Sequence, residues 1–170
     1  LFLKNMGKQR NVLVFSAHND DQIIGAGGTL AKYTRDGIAV TVYVFSFGES
    51  SHPHLKRTEI AETRVTECKR SDKVLGIADT IFLGLKEGAF KEDFSRKKLP
   101  QRLRQVLLDL QPEKIFLHSP DDPHPDHRAV YQVITSLLDD LQLAIPVYVY
   151  DVWNPLNLRY RDVPKLVVDI

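Results

Sequence analysis

The sequence predicts an α/β fold built on a mostly parallel β-sheet flanked by helices, in a single Rossmann-like domain. Three observations carry that reading. The runs Val12-Leu13-Val14-Phe15 and Ala39-Val40-Thr41-Val42-Tyr43-Val44-Phe45 are nearly continuous in apolar or β-branched residues, as strands covered on both faces are. A segment of helical periodicity separates them, which implies a parallel pair with a right-handed crossover. The alternation of strand and helix then continues to the end of the chain.

Taken in order, 11–17 reads as a buried strand and 22–35 as a helix stopped at Gly37, glycine being a usual helix C-terminal residue. The second strand covers 39–45. A polar loop, 48–55, carries His52 and His54, and the histidines read as exposed loop residues bordering a pocket. A long helix over 56–75 places Ala61, Val65, Cys68 and Leu75 on one face and stops at Gly76. Ile81-Phe82-Leu83 is a short third strand. Leu103, Val106, Leu107 and Leu110 mark an amphipathic helix closed by Pro112. Ile115-Phe116-Leu117-His118 is the fourth strand, with His118 read as a satisfied structural histidine. Residues 119–127 contain three prolines and read as a stiff loop, followed by a helix over 128–141. Residues 147–150 and 165–170 complete the strands. Repeats, linkers and low-complexity segments are not evident.

At 170 residues the chain is of single-domain size. Its formal charge of +1 offers no global argument for a nucleic-acid partner. With Cys68 as the only cysteine, disulfide scaffolds and thiolate zinc clusters are excluded. No apolar run reaches the roughly 18 residues that a membrane span needs, and Leu1-Phe2-Leu3 is too short for a signal peptide. A cytoplasmic protein is the expectation.

The chemistry gathers in two places. The first strand ends in Ala17-His18-Asn19-Asp20-Asp21-Gln22, and the fourth opens into His124-Pro125-Asp126-His127. Both follow strands whose carboxyl ends lie at one edge of a doubly wound sheet, where ligands bind. Adjacent carboxylates and an imidazole repel and desolvate one another unless a positive charge sits among them. A catalytic zinc takes three His or carboxylate ligands and leaves a fourth position for water. His18, Asp21 and one of His124 or His127 form such a set, and the spacing leaves the choice between the two histidines open. Asp20 and the remaining histidine are then free for acid–base work.

These motifs resemble those of the PIG-L/LmbE-like family of zinc-dependent N-acetylglucosaminyl deacetylases. That family's first motif, Ala-His-Pro-Asp-Asp-Glu, corresponds to residues 17–22; its His-Pro-Asp-His stands intact at 124–127. Gly27-Gly28-Thr29, Arg64 with Glu67, Leu75-Gly76 and Leu83-Gly84-Leu85 also fall in the family's order and spacing, from about Val12 to Ile170. The resemblance implies Zn2+ on His18, Asp21 and His127, with Asp20 as general base toward the attacking water. It implies a protonated His124 that stabilises the tetrahedral intermediate, oriented by Asp126. Arg64 would hold sugar hydroxyls, and Glu87 is a weaker match to an acid near the sugar. The substrate implied is a small-molecule N-acetylated amino sugar or glycoconjugate, and homo-oligomers are common in the family. Asn19 stands where the family has proline and Gln22 where it has glutamate. Family members continue past residue 170, so the domain is expected to lack a C-terminal extension.

Two other functions compete. The departures at 19 and 22 suggest a non-catalytic sugar-binding relative. Asp20 and Asp21 alone suit magnesium and phosphoryl transfer, but the histidines of the second motif disfavour that hard-cation chemistry. Gly25, Gly27 and Gly28 lack the spacing of a dinucleotide loop and read as close helix–sheet packing.

Overall fold

The computed structural model describes residues 10–50 and 54–153. Five strands, β1 (Asn11–Ser16), β2 (Ala39–Val44), β3 (Asp79–Phe82), β4 (Lys114–His118) and β5 (Val147–Tyr150), form a sheet of order β3-β2-β1-β4-β5. Every pairing is parallel. β1 lies at the centre and pairs β2 from Asn11↔Ala39 to Ser16↔Val44 and β4 from Val12↔Lys114 to Val14↔Phe116.

Alternate residues of β1 feed opposite cores, which is why its sequence is apolar throughout. Leu13 and Phe15 join Phe45, Leu103, Leu107, Ile134 and others on one face. Val12 and Val14 join Ala26, Leu30, Tyr33 and Val42 on the other. Helix α1 (Asp21–Arg35) covers this second face, while α3 (Phe90–Arg96), α4 (Leu99–Leu110) and α5 (Pro125–Asp140) supply the first. Helix α2 (Arg57–Leu75) joins β2 to β3 and buries little: Ile60 and Cys68 are buried, whereas Ala61, Val65 and Leu75 are only half-buried. Gly76 ends it in the left-handed region at φ 72°, where glycine carries no Cβ penalty.

Three expectations need correction. Residues 90–96 form a helix where the sequence alone assigns no element. The third strand sits at 79–82 rather than 81–83. Helix α5 begins at Pro125 rather than 128, because proline at the first helical position costs no hydrogen bond and already has helical φ. Asp126 and His127 therefore belong to a rigid first turn, not to a loop. His52 and the expected strand at 165–170 lie outside the described residues.

Candidate metal centre at the carboxyl edge

The winding of the sheet reverses between β1 and β4, and the two motifs emerge from the carboxyl ends of these two strands, which flank the reversal. His18 follows the end of β1, Asp21 opens α1, and His127 sits in the first turn of α5. Three atoms converge: His18 Nδ1 is 3.2 Å from His127 Nε2 and 3.3 Å from Asp21 Oδ2, and His127 Nε2 is 3.4 Å from Asp21 Oδ2. Ligands about 2.0–2.1 Å from a tetrahedral zinc stand about 3.3–3.4 Å apart. The donor triangle thus has the size of a tetrahedral ligand face, and the residues present fit such an ion.

The electrostatics say the same. Burial acts to lower the pKa of His18, but hydrogen bonds and charge from Asp126, Asp21 and Glu87 outweigh it and raise the value to about 10. Burial likewise opposes ionisation of Asp21, yet His118, His127 and His18 hold its carboxylate well below the ordinary range. Without a metal, the cluster retains a proton as its cation.

Asp122 is a participant that the sequence reading missed. It is fully buried; Oδ1 accepts from the His124 N–H at 2.8 Å, and Oδ2 lies 3.0 Å from His127 Nδ1. The second contact is close but oblique, and those two atoms have no well-aligned hydrogen bond among the described residues. Its signal was an acid two positions before His124 in a proline-stiffened segment. His118 was also under-read. It stacks on His127 at 3.9 Å between ring centroids, accepts from the Ala17 N–H at 2.9 Å and places Nε2 3.3 Å from Asp21 Oδ2. Burial lowers its pKa and favours the neutral ring. Two overlapping trios, His18/His124/His127 and Asp21/His118/His127, keep their ligating atoms within 4.8 Å of one another.

His124 caps α5: its Nδ1 accepts from the Asp126 N–H at 3.1 Å, which leaves the proton of a neutral ring on Nε2. Burial, His18 and His127 lower its pKa, in contrast to the protonated state the resemblance implies. Asp126 does contact His124, but through its backbone. Its carboxylate instead lies 3.3 Å from His18 Nε2 and accepts from the Gly88 N–H at 2.8 Å.

The remaining candidates form the rim. Asp20 is half-exposed, with its carboxylate 3.7 Å from the Arg64 guanidinium; Arg64 is also 3.6 Å from Glu67. Glu87 approaches His18 Nε2 at 3.9 Å and accepts from the Ser50 N–H at 2.9 Å. The structure brings His18, Asp21, His124, Asp126, His127 and Glu87 together, with Asp20 and Arg64 paired beside them. His54 is exposed and joins none of these contacts.

Fold and site together define an α/β protein with a buried His/Asp/His cluster able to hold a divalent cation at the edge of a parallel sheet. The chain belongs to the PIG-L family: the model of that family, described as GlcNAc-PI de-N-acetylase, matches residues 13–138. It is 24% identical to a 1D-myo-inositol 2-acetamido-2-deoxy-alpha-D-glucopyranoside deacetylase of Kineococcus radiotolerans, over 80% of this chain and 46% of that protein. It is 32% identical to the 4-oxalmesaconate hydratase of Pseudomonas putida, over 95% of this chain and 68% of that protein. Among solved structures, the N,N'-diacetylchitobiose deacetylase of Pyrococcus horikoshii shares the fold, with a TM-score of 0.74 at 24% identity over 95% of this chain and 64% of that one. The chain thus spans about half to two-thirds of the length of these relatives. No helix among the described residues is long and apolar enough to cross a membrane.

Proposed function

We propose that this chain hydrolyses the N-acetyl group of an N-acetylglucosamine-containing small molecule or glycoconjugate, releasing acetate. The observation that carries the reading is the 3.2–3.4 Å triangle of His18, Asp21 and His127, flanked by a carboxylate and an imidazole left free for proton transfer. A zinc ion held by those three residues would supply Lewis acidity and water activation at neutral pH.

The chain's own residues do the rest. Asp20, next to ligand Asp21 in sequence and open to solvent, serves as general base toward the attacking water. An amide carbonyl is a poor electrophile, so its developing oxyanion needs preorganised donors. His124, fixed through Nδ1, directs its Nε2–H at that oxygen, and the proton that Asp20 takes from the water passes to the leaving amine. Asp126 holds His18 in place by carboxylate contact and His124 by its backbone. Arg64 and Glu87 at the rim bind sugar hydroxyls.

The identity to the Pseudomonas putida hydratase favours a second reading, addition of water to a polycarboxylate. The charge of the site weighs against it. Among the described residues, the four carboxylates Asp20, Asp21, Glu87 and Asp126 surround the cluster and Arg64 is the guanidinium ion-paired there, so even a bound zinc ion would leave little positive charge for a substrate bearing several carboxylates.

One experiment separates these readings: zinc content of the purified chain, acetate release from a panel of N-acetylglucosamine conjugates, and hydration of 4-oxalmesaconate. About one zinc per chain with acetate released is the expected result. Hydration without acetate would replace the deacetylase by the hydratase. Sugar binding with neither product would leave a non-catalytic module, and phosphate release on magnesium would point to Asp20 and Asp21 as a phosphohydrolase pair.

A further inference from the structure

The two departures from the family motif, Asn19 and Gln22, contact one another and reach the rim. Asn19 is buried at 6% exposure, and its side-chain amide donates to the main-chain carbonyl of Arg64 at 2.6 Å. The main-chain carbonyl of Asn19 accepts from Gln22 Nε2 at 3.3 Å, and Gln22 Oε1 accepts from the Ser16 hydroxyl at 2.9 Å in a fully buried position. A connected path of polar groups therefore runs from the end of β1, through the β1–α1 turn, to the middle of α2.

The Arg64 side chain is loosely held by comparison. Its ion pairs, at 3.6 and 3.7 Å, are to half-exposed partners, and its Nε has no hydrogen-bond partner among the described residues. Helix α2 also buries little apolar surface. The placement of the guanidinium beside Asp20 is thus set largely through the backbone of α2, and Asn19 is what grips that backbone from the motif side. Neither family residue could do this. Proline has no amide to donate, and a carboxylate at position 22 would face the Asn19 carbonyl with no proton to offer.

We infer that Asn19 is a positioning residue for Arg64 and that Gln22 supports it, so that the two substitutions act as one device tuning the rim toward its substrate. The substrate side of this rests on the deacetylase reading; the placement of Arg64 does not. Two measurements test them separately. In the metal-loaded protein, the rate at which phenylglyoxal modifies Arg64, read by peptide mass spectrometry, should rise about fivefold in Asn19→Ala and less in Gln22→Glu, in line with loss of one buried hydrogen bond. With N-acetylglucosamine as the probe substrate, Asn19→Ala should raise KM by a similar factor with kcat and zinc content unchanged. That increase should vanish in an Arg64→Ala background. An unchanged Arg64 modification rate overturns the proposal, as does an equal loss in both backgrounds, which is what a merely structural role would give. If the wild-type chain releases no acetate, the deacetylase reading fails and the modification rates alone decide the placement of Arg64.

Discussion

One buried carboxylate, Asp122, reaches both histidines of the second motif: one oxygen accepts from the His124 N–H, and the other stands 3.0 Å from His127 Nδ1. A carboxylate behind a metal-ligating imidazole fixes its tautomer and raises its basicity. Asp122→Asn should therefore weaken zinc binding about 10- to 100-fold, measurable by chelator competition, with little change in fold by circular dichroism. The proposed ligands and base part company in a simpler test. Asp20→Ala should cost about 10²–10⁴ in turnover while zinc stays bound, and His127→Ala should lose the metal itself; turnover retained in the first, or zinc retained in the second, would reverse that assignment. At this scale the sequence displayed the two motifs plainly, because each is a short run of adjacent polar residues after an apolar strand. Asp122 and His118 were harder to read: an acid two positions before His124 marks Asp122 only as a neighbour of the motif, and nothing in the sequence reports that it lies behind His127 or that His118 lies against Asp21.

Among the elements, α1 passes the end of β5 at Gly25 with no room for a side chain. A Cβ there would stand 2.3 Å from Tyr150 Cδ2 and 3.2 Å from the Asp151 carbonyl, so the helix can lie this near the strand only without a side chain. Gly25→Ala should destabilise the protein by about 1–3 kcal/mol through overpacking, read from denaturant midpoints; an unchanged midpoint would mean that Tyr150 moves aside freely. The close packing expected of the glycine cluster holds at Gly25, whereas at Gly27 a Cβ would meet only Ile23 Cγ2, at 3.7 Å. Strands β1, β2 and β4 were legible because both of their faces are buried and their composition says so. Helix α3 was not, since seven residues hold too few apolar positions to establish a period. The start of α5 was obscured by proline, which breaks a helix interior but suits a helix entrance.

For the molecule as a whole, protons and a bound metal would compete for one place. The pKa of His18 in the metal-free chain is about 10, so below that pH an incoming cation must displace a proton from a ring it needs neutral. Affinity for zinc should fall about tenfold for each pH unit lost per displaced proton. Calorimetry at pH 7 in buffers of different ionisation enthalpy should show at least one proton released per zinc bound, and no release would contradict the protonated state of His18.

The position of the centre in the fold has a consequence for how the chain assembles. Residues 11–82 wind β1, α1, β2, α2 and β3 into one contiguous half of the sheet. His127 arrives only when β4 pairs with β1, and its ring meets His18 across 109 positions of sequence. Contacts of such separation form late, because the loop they close is entropically expensive. An ion bound there would span the seam between the two halves, much as a cross-link between distant residues would. Losing that ion would release the seam first and speed the parting of the halves, leaving the β1–β2–β3 half with its two aspartates and no histidine from the second motif.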